Sequence, residues 1–259
     1  MTTPMILLYH VVRPVPLMAD AEERNLFVSP ELFREQMGHL HERGFRSMTL
    51  DEYRRSLGGT AVEDERFLLT FDDAYAHVDQ TVTPMLEGFG FTAVMFASWD
   101  HLGDRNTWDG GHANLSRLAI ATADQLMAMA GNRWEIASHS LRHVDLTTLS
   151  PKEVARELTE SRDRLSELIG KPVVDLAYPF GACNESVCRA AAVAGYQTGF
   201  LAENTAGLAT RYAIPRRPVR GDEGMAFFKI KTSSLARSAS RLRQLTPEWM
   251  VGAARKASV

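Results

Sequence analysis

Short apolar runs alternate with amphipathic stretches along the whole chain. Met5–Val12 reads as a strand, and Ser29-Pro30-Glu31 then opens a helical repeat (Leu32, Phe33, Met37, Leu40) that stops at Gly44. The serine can cap the first turn, and a proline there forfeits no intrahelical hydrogen bond. Phe67–Phe71 is a second strand, followed by helical periodicity through Val78, Val82, Met85 and Leu86 that closes at Gly88 and Gly90. Phe91–Ala97 and Trp134–Ser138 are further strands. Ser150-Pro151-Lys152-Glu153 starts a long charged helix ending at Gly170. Val173–Ala177 is a strand, Glu185–Ala194 a helix stopped by Gly195, and Gln197–Ala202 a last strand. Strands separated by helices predict a parallel α/β architecture, either a closed barrel or an open doubly wound sheet. Trp99 to Met127 contains Gly103, Gly110 and Gly111 and predicts a long irregular loop before a short helix. Loops of that length often carry function.

Composition narrows the class. The chain has 259 residues, 45% of them apolar, enough to bury a substantial core, and no linker or repeat divides it. One domain over 1–259 is expected, with 225–259 as a basic helical C-terminal extension. That stretch holds Lys229, Lys231, Arg237, Arg241, Arg243, Arg255 and Lys256 against only Glu248, the pattern of a solvated helix face. A formal charge of −3 exerts no general pull on nucleic acid or anionic membrane. The uncharged run Gly88 to Trp99 is short of the roughly 18 apolar residues a membrane span needs. The N-terminus lacks the basic and apolar regions of a signal peptide, which predicts a cytoplasmic protein. Cys183 and Cys188 are too few for a disulfide framework and read as ordinary reduced thiols.

Polar residues gather where strands end. Tyr9-His10 closes the first strand, Thr70-Phe71-Asp72-Asp73 the second, Ser138-His139-Ser140-Leu141-Arg142-His143 a third and Tyr178-Pro179-Phe180-Gly181 a fourth. Catalytic groups of α/β barrels and sheets meet at the carboxyl ends of parallel strands. Two adjacent carboxylates there are costly without a cation. Two histidines and one carboxylate form the ligand set of many catalytic zinc sites, and equally of non-haem iron(II) enzymes. Asp72 alone could cap a helix, and each histidine alone could be ordinary. Their conjunction at successive strand ends favours a metal site.

Thr70-Phe71-Asp72-Asp73, His139-Ser140-x-x-His143 and Tyr178-Pro179-Phe180-Gly181 resemble the first three motifs of the polysaccharide deacetylase (NodB-homology) family. Leu8-Tyr9-His10-x-Val12 and Val28-Ser29-Pro30-Glu31-x-Phe33-x-x-Gln36-Met37 are similar to its subgroup acting on poly-β-1,6-N-acetylglucosamine, and the likeness runs from about Ile6 to Phe228. The resemblance implies a distorted (β/α)7 barrel that hydrolyses an N-acetyl group from an amino sugar or glycan. It implies that Asp73, His139 and His143 bind one divalent metal, zinc foremost, with cobalt, nickel or iron as alternatives. Asp72 would be the general base, and the backbone N–H of Phe180 would share the oxyanion.

Three departures from the family pattern shape further expectations. No histidine follows His143, so the family's late acid motif is absent; the resemblance to the poly-β-1,6-N-acetylglucosamine subgroup, whose corresponding histidine lies in the N-terminal Tyr-His segment, implies His10 as the acid, with His77 and His112 as substitutes. Ala177 stands where most members carry a base-supporting arginine, and Arg216 in Ile214-Pro215-Arg216-Arg217-Pro218 is expected to replace it, the alternative being a plain loop arginine. Ala74 replaces the usual glycine after the paired aspartates, which strains the backbone if φ is positive there. Tyr178 and Trp108 are candidate substrate contacts. Trp108 and Trp99 offer aromatic faces for a sugar, although packing is the commoner fate of such rings. A related amide hydrolase acting on a small intracellular metabolite or antibiotic precursor is the alternative activity, and a non-catalytic glycan-binding module is a third. Oligomeric state is not legible.

Overall fold

The computed structural model describes residues 4–59, 65–203 and 210–233. Strand β1 (Met5–Tyr9) is buried at every position because parallel strands flank it on both sides. After it come β2 (Val11–Val12), α1 (Ala21–Leu26), β3 (Phe27–Val28), α2 (Pro30–Glu42), β4 (Arg46–Ser47) and α3 (Leu50–Leu57). The middle of the chain forms β5 (Arg66–Phe71), α4 (His77–Phe89), β6 (Ala93–Ala97), α5 (Ala123–Ala130) and β7 (Trp134–Ser138). The remainder supplies α6 (Pro151–Ile169), β8 (Asp175–Ala177), α7 (Glu185–Val193), β9 (Thr198–Phe200), β10 (Arg217–Pro218) and α8 (Met225–Thr232).

The main sheet runs β10-β1-β5-β6-β7-β8-β9, with β4 beside the start of β5, and all its ladders are parallel. It curls until its two ends share one segment. Ile214 bridges to Phe200 of β9, and three residues later Arg217 pairs with Leu7 of β1. Arg216 therefore lies in the seam of the curled sheet. This is the distorted barrel that the resemblance implies.

Side-chain alternation sorts the strand residues into two layers. Ile6, Leu68, Val94, Phe96, Ala137, Ala177, Phe200 and Ile214 form an inner cluster, with Leu50 and Tyr53 of α3 packed against it. Leu7, Phe67, Leu69, Met95, Ile136 and Leu176 face outward into the larger cluster under α2, α4, α5, α6 and α7. Extending the same parity past the strand ends places His10, Asp72, His139 and Arg216 on the inner side.

Most elements match the periodicity. Met5–Val12 differs, because the chain leaves the main sheet at His10 and β2 pairs with β3 instead. The two-residue strands are too short to show a period, and α3 is marked only by its Thr49–Glu52 capping box. Of the expected helical extension, Met225–Thr232 is helical and residues 234–259 lie outside the described residues. No helix among the described residues is long and apolar enough to cross a membrane.

The turn after β10 rests on the end of α1. Gly221 N–H donates to Asn25 O, and a Cβ on Gly221 would lie 1.7 Å from the Phe27 carbonyl oxygen and 2.5 Å from that of Arg24. Neither backbone can yield cheaply. Gly221→Ala is expected to cost about 1–3 kcal/mol, read as a lower urea midpoint at unchanged slope.

Candidate active site

Strand register brings the four sequence clusters to one end of the barrel. Tyr9 pairs with Phe71, and Asp72 N–H donates to Tyr9 O at 3.1 Å, so His10 and Asp72 leave adjacent strands side by side. His139 N–H donates to Ala97 O at the end of β6 (2.8 Å), and its ring Nδ1 lies 2.8 Å from Ala177 O at the end of β8. His10 is half-buried, and a proton on its ring would lower both the Asp72 and the Asp73 carboxyls.

The adjacent carboxylates are both buried and are compensated in different ways. Asp72 faces Arg216, which donates Nη1–H to Oδ1 at 2.7 Å and Nη2–H to Oδ2 at 2.6 Å. Arg216 is itself 3% exposed. It also donates Nε–H to Leu201 O, and it lies over the Phe96 ring. A planar fork on a carboxylate is among the strongest polar contacts available. Burial pushes the Asp72 carboxyl up, but the Arg216 and His139 charges outweigh it and hold the group below the ordinary carboxylate range.

Asp73 faces imidazoles. Its Oδ1 lies 3.5 Å from His139 Nε2 and 3.2 Å from His143 Nε2. Burial raises this carboxyl too, yet hydrogen bonds from the two rings take it well below its usual value. Because His139 Nδ1–H is committed to the Ala177 carbonyl, the proton facing Asp73 is the one on Nε2, and losing it leaves a lone pair at that atom. The ligand atoms of Asp73, His139 and His143 lie within 4.8 Å of one another. One carboxylate and two imidazoles so arranged fit a divalent cation.

Helix α6 and the loop after β6 hold these groups. Glu157 is 1% exposed on the inner face of α6 and accepts N–H groups of Leu141 and Arg142 at 3.1 and 3.0 Å, plus Arg142 Nε–H. Ser161, one turn on, donates to Ser140 O at 2.9 Å. His143 is held by rings: Trp108 stacks on it at 4.4 Å between centroids, and Phe180 meets it edge-on at 4.8 Å. Its Nδ1 is buried without a hydrogen-bond partner. On the Asp73 side, the Tyr75 hydroxyl accepts Asn106 Nδ2–H at 2.8 Å, which also reaches Asp109 Oδ2 at 2.6 Å, and burial with the nearby Asp73 charge pushes that hydroxyl well up.

Backbone strain is concentrated here. Six non-glycine residues among those described have positive φ, and five belong to the motifs: Asp73 (71°), Ala74 (52°), Ser140 (67°), His143 (52°) and Phe180 (58°). Such conformations persist only where surroundings enforce them. The left-handed turn at Asp73 breaks strand alternation just where the second carboxylate must swing back toward the histidines. Ala74 does occupy the conformation that favours glycine.

Several expected contacts lie elsewhere. Tyr178 follows inward-facing Ala177 and so points out of the barrel, where its hydroxyl donates to Tyr212 O at 2.8 Å; it is a packing residue, not a substrate contact. Trp108 reaches the site as a half-buried cover on His143, so that face of its ring is taken. Trp99 packs with the Arg164 guanidinium over it. His77 is pushed down to about 3 by burial and by Arg13, which disqualifies it as an acid at neutral pH. His112 lies between Asp20 and Glu22, which hold its ring at 2.9 and 3.3 Å. Tyr75, Asn106 and Glu157 were not anticipated. Glu157 carries a signal, as a charged residue among Val154, Leu158, Ser161 and Leu165 on the buried stripe of α6; Asn106 carries none.

The sequence profile described as polysaccharide deacetylase matches residues 59–199, more than half of the chain. The chain belongs to the polysaccharide deacetylase family. Among curated relatives, YxkH of Bacillus subtilis is 28% identical over 228 residues, 86% of this chain and 74% of that one. The poly-β-1,6-N-acetyl-D-glucosamine N-deacetylase of Staphylococcus epidermidis is 25% identical over 235 residues, 83% and 78% of the two chains. Streptococcus pyogenes deacetylase PplD superposes with a TM-score of 0.74 at 21% identity, covering 89% of this chain and 98% of its own. That likeness is one of fold.

Family membership makes the Asp73, His139 and His143 cluster the natural seat of the family's metal. Since Glu157 shapes the loop between the two histidines, Glu157→Ala is expected to weaken zinc or cobalt binding about 10- to 100-fold in an equilibrium titration. It should also cost about 1–3 kcal/mol for each N–H left buried and unpaired, seen in urea unfolding.

Proposed function

We propose that this deacetylase removes N-acetyl groups from a glucosamine-containing glycan, releasing acetate and a free amine. The observation that carries the reading is the division of labour between neighbouring carboxylates, with Arg216 on Asp72 and two imidazoles on Asp73. A divalent cation held by Asp73, His139 and His143, zinc in this reading, would supply Lewis-acid polarisation of the acetamide and a water of lowered pKa.

The chain's own groups do the rest. Asp72, kept ionised and fixed by Arg216, takes the proton of the attacking water. The Phe180 N–H donates to the developing oxyanion. His10, protonated and beside Asp72, delivers a proton to the departing nitrogen, without which an amide does not cleave at useful speed. Phe180, 59% exposed next to His143, offers an apolar face to the sugar in place of Trp108. The poly-β-1,6-N-acetylglucosamine deacetylases among the relatives, and the similarity of the Tyr9-His10 segment to that subgroup, make a β-1,6-linked N-acetylglucosamine chain the first substrate to test.

Acetate release from such oligomers should exceed that from a panel of small N-acetylated amino sugars. Faster turnover of a small sugar would redirect the substrate while leaving the chemistry intact. Asp72→Asn should keep metal and lower kcat by about 10²–10⁴, and full activity in that variant would remove Asp72 as base. Near wild-type kinetics in His10→Ala would likewise assign the acid elsewhere.

Arg216→Lys keeps a charge but loses the fork. Arg216 holds the Asp72 carboxyl down, so weakening it raises that pKa. Ionised Asp72 is then lost sooner as pH falls. The acid limb of kcat/KM should move to higher pH, with kcat reduced; an unmoved limb would contradict the role given to Arg216.

A further inference from the structure

The two cysteines lie directly behind the loop that carries Phe180. Cys183 stands two residues after Gly181, and Cys188 sits in α7 one turn beyond its Asn184 cap. Asn184 Oδ1 accepts Val187 N–H at 3.0 Å and Asn184 O accepts Cys188 N–H at 3.0 Å, so cap and first turn fix the backbone between the thiols. Their Sγ atoms are 2.9 Å apart. That is closer than an ordinary thiol contact and needs only a small further approach to reach the roughly 2.0 Å of a disulfide. Both thiols are reduced, as the sequence leads one to expect, and the geometry adds that they are neighbours.

We propose that Cys183 and Cys188 form a reversible dithiol–disulfide pair, closed by exchange with a low-molecular-weight disulfide, that braces the Phe180 loop against α7. Cys183 is the more exposed of the two, whereas Cys188 is buried beside Tyr178 and Tyr212. The hydrogen bond from Cys183 lowers the Cys188 thiol to about 7, against burial, and raises its partner. The proton therefore rests mainly on Cys183, and the outer thiol reacts through the minor form that holds it on Cys188. When it passes to Cys188, the Cys183 thiolate attacks the external disulfide, its S–S bond breaks, and one thiol leaves with a solvent proton. Cys188 then loses its proton and attacks Cys183 Sγ in the mixed disulfide, expelling the second thiol. Two protein thiols are oxidised and one external disulfide is reduced to two thiols. The four residues between the cysteines close a short ring, so the bond stiffens this corner without drawing distant elements together.

The pair does not depend on the catalytic reading, and its test needs no turnover. The full chain is equilibrated in glutathione buffers of graded oxidised-to-reduced ratio, quenched in acid, alkylated in denaturant and weighed intact. The expected result is conversion from two alkyl groups to none, as a monomer two hydrogens lighter, reversed by dithiothreitol. The midpoint should fall at least tenfold further toward reducing ratios in the native chain than in the same chain held in urea, because the fold presents the sulfurs to each other. Oxidised wild type should also melt higher than reduced, a difference absent from Cys183→Ser. Two alkylated thiols at every ratio, an unresolved single glutathione adduct, or equal midpoints in native and unfolded chains would overturn the proposal.

Discussion

Asp72 and Asp73 are consecutive, buried and both acidic, and the site is organised around making that tolerable. Like charges at this spacing, away from water, are strongly unfavourable unless each has its own compensation. Arg216 serves Asp72 through a fork, while His139 and His143 serve Asp73 and converge on a cation-sized gap. The two neighbours consequently acquire different chemistry. One is held ionised by a fixed guanidinium, and the other faces two imidazoles in a set that fits a divalent cation.

Arg216 ties this division to the fold. It lies between Ile214, bridged to β9, and Arg217, paired with β1, so the segment that joins the edges of the curled sheet also delivers the counter-charge. The segment that closes the barrel is thus also the one that holds the Asp72 carboxylate. The loop after β6 has a comparable double duty, covering His143 with Trp108 and holding the Tyr75 hydroxyl through Asn106. Strain at Asp73, Ala74, Ser140, His143 and Phe180 is sustained by these supports.

Much of this was legible in the chain because it rests on short-range pattern. The strands from Phe67, Ala93 and Trp134, the helix from Pro151 and the polar residues at strand ends follow from periodicity and capping. Asp72, Asp73, His139 and His143 stand out as residue types that are costly together. Arg216 was reachable only by noticing that a base-supporting arginine was absent at Ala177. Tyr178 went wrong because proximity in sequence to a motif does not fix the side of a strand; parity does, and Ala177 already faces inward. Asn106 and the Cys183–Cys188 contact depend on how loops fold back, for which no periodic signal exists.

The central claim is that one cation sits on Asp73, His139 and His143 while Asp72 stays with Arg216. Anomalous diffraction at the zinc edge from zinc-equilibrated crystals tests it directly. The account predicts one strong peak within bonding distance of those three residues, with the Asp72–Arg216 fork unbroken. A peak bound by Asp72, or main occupancy at the Asp20, Glu23 and His112 cluster instead, would contradict it.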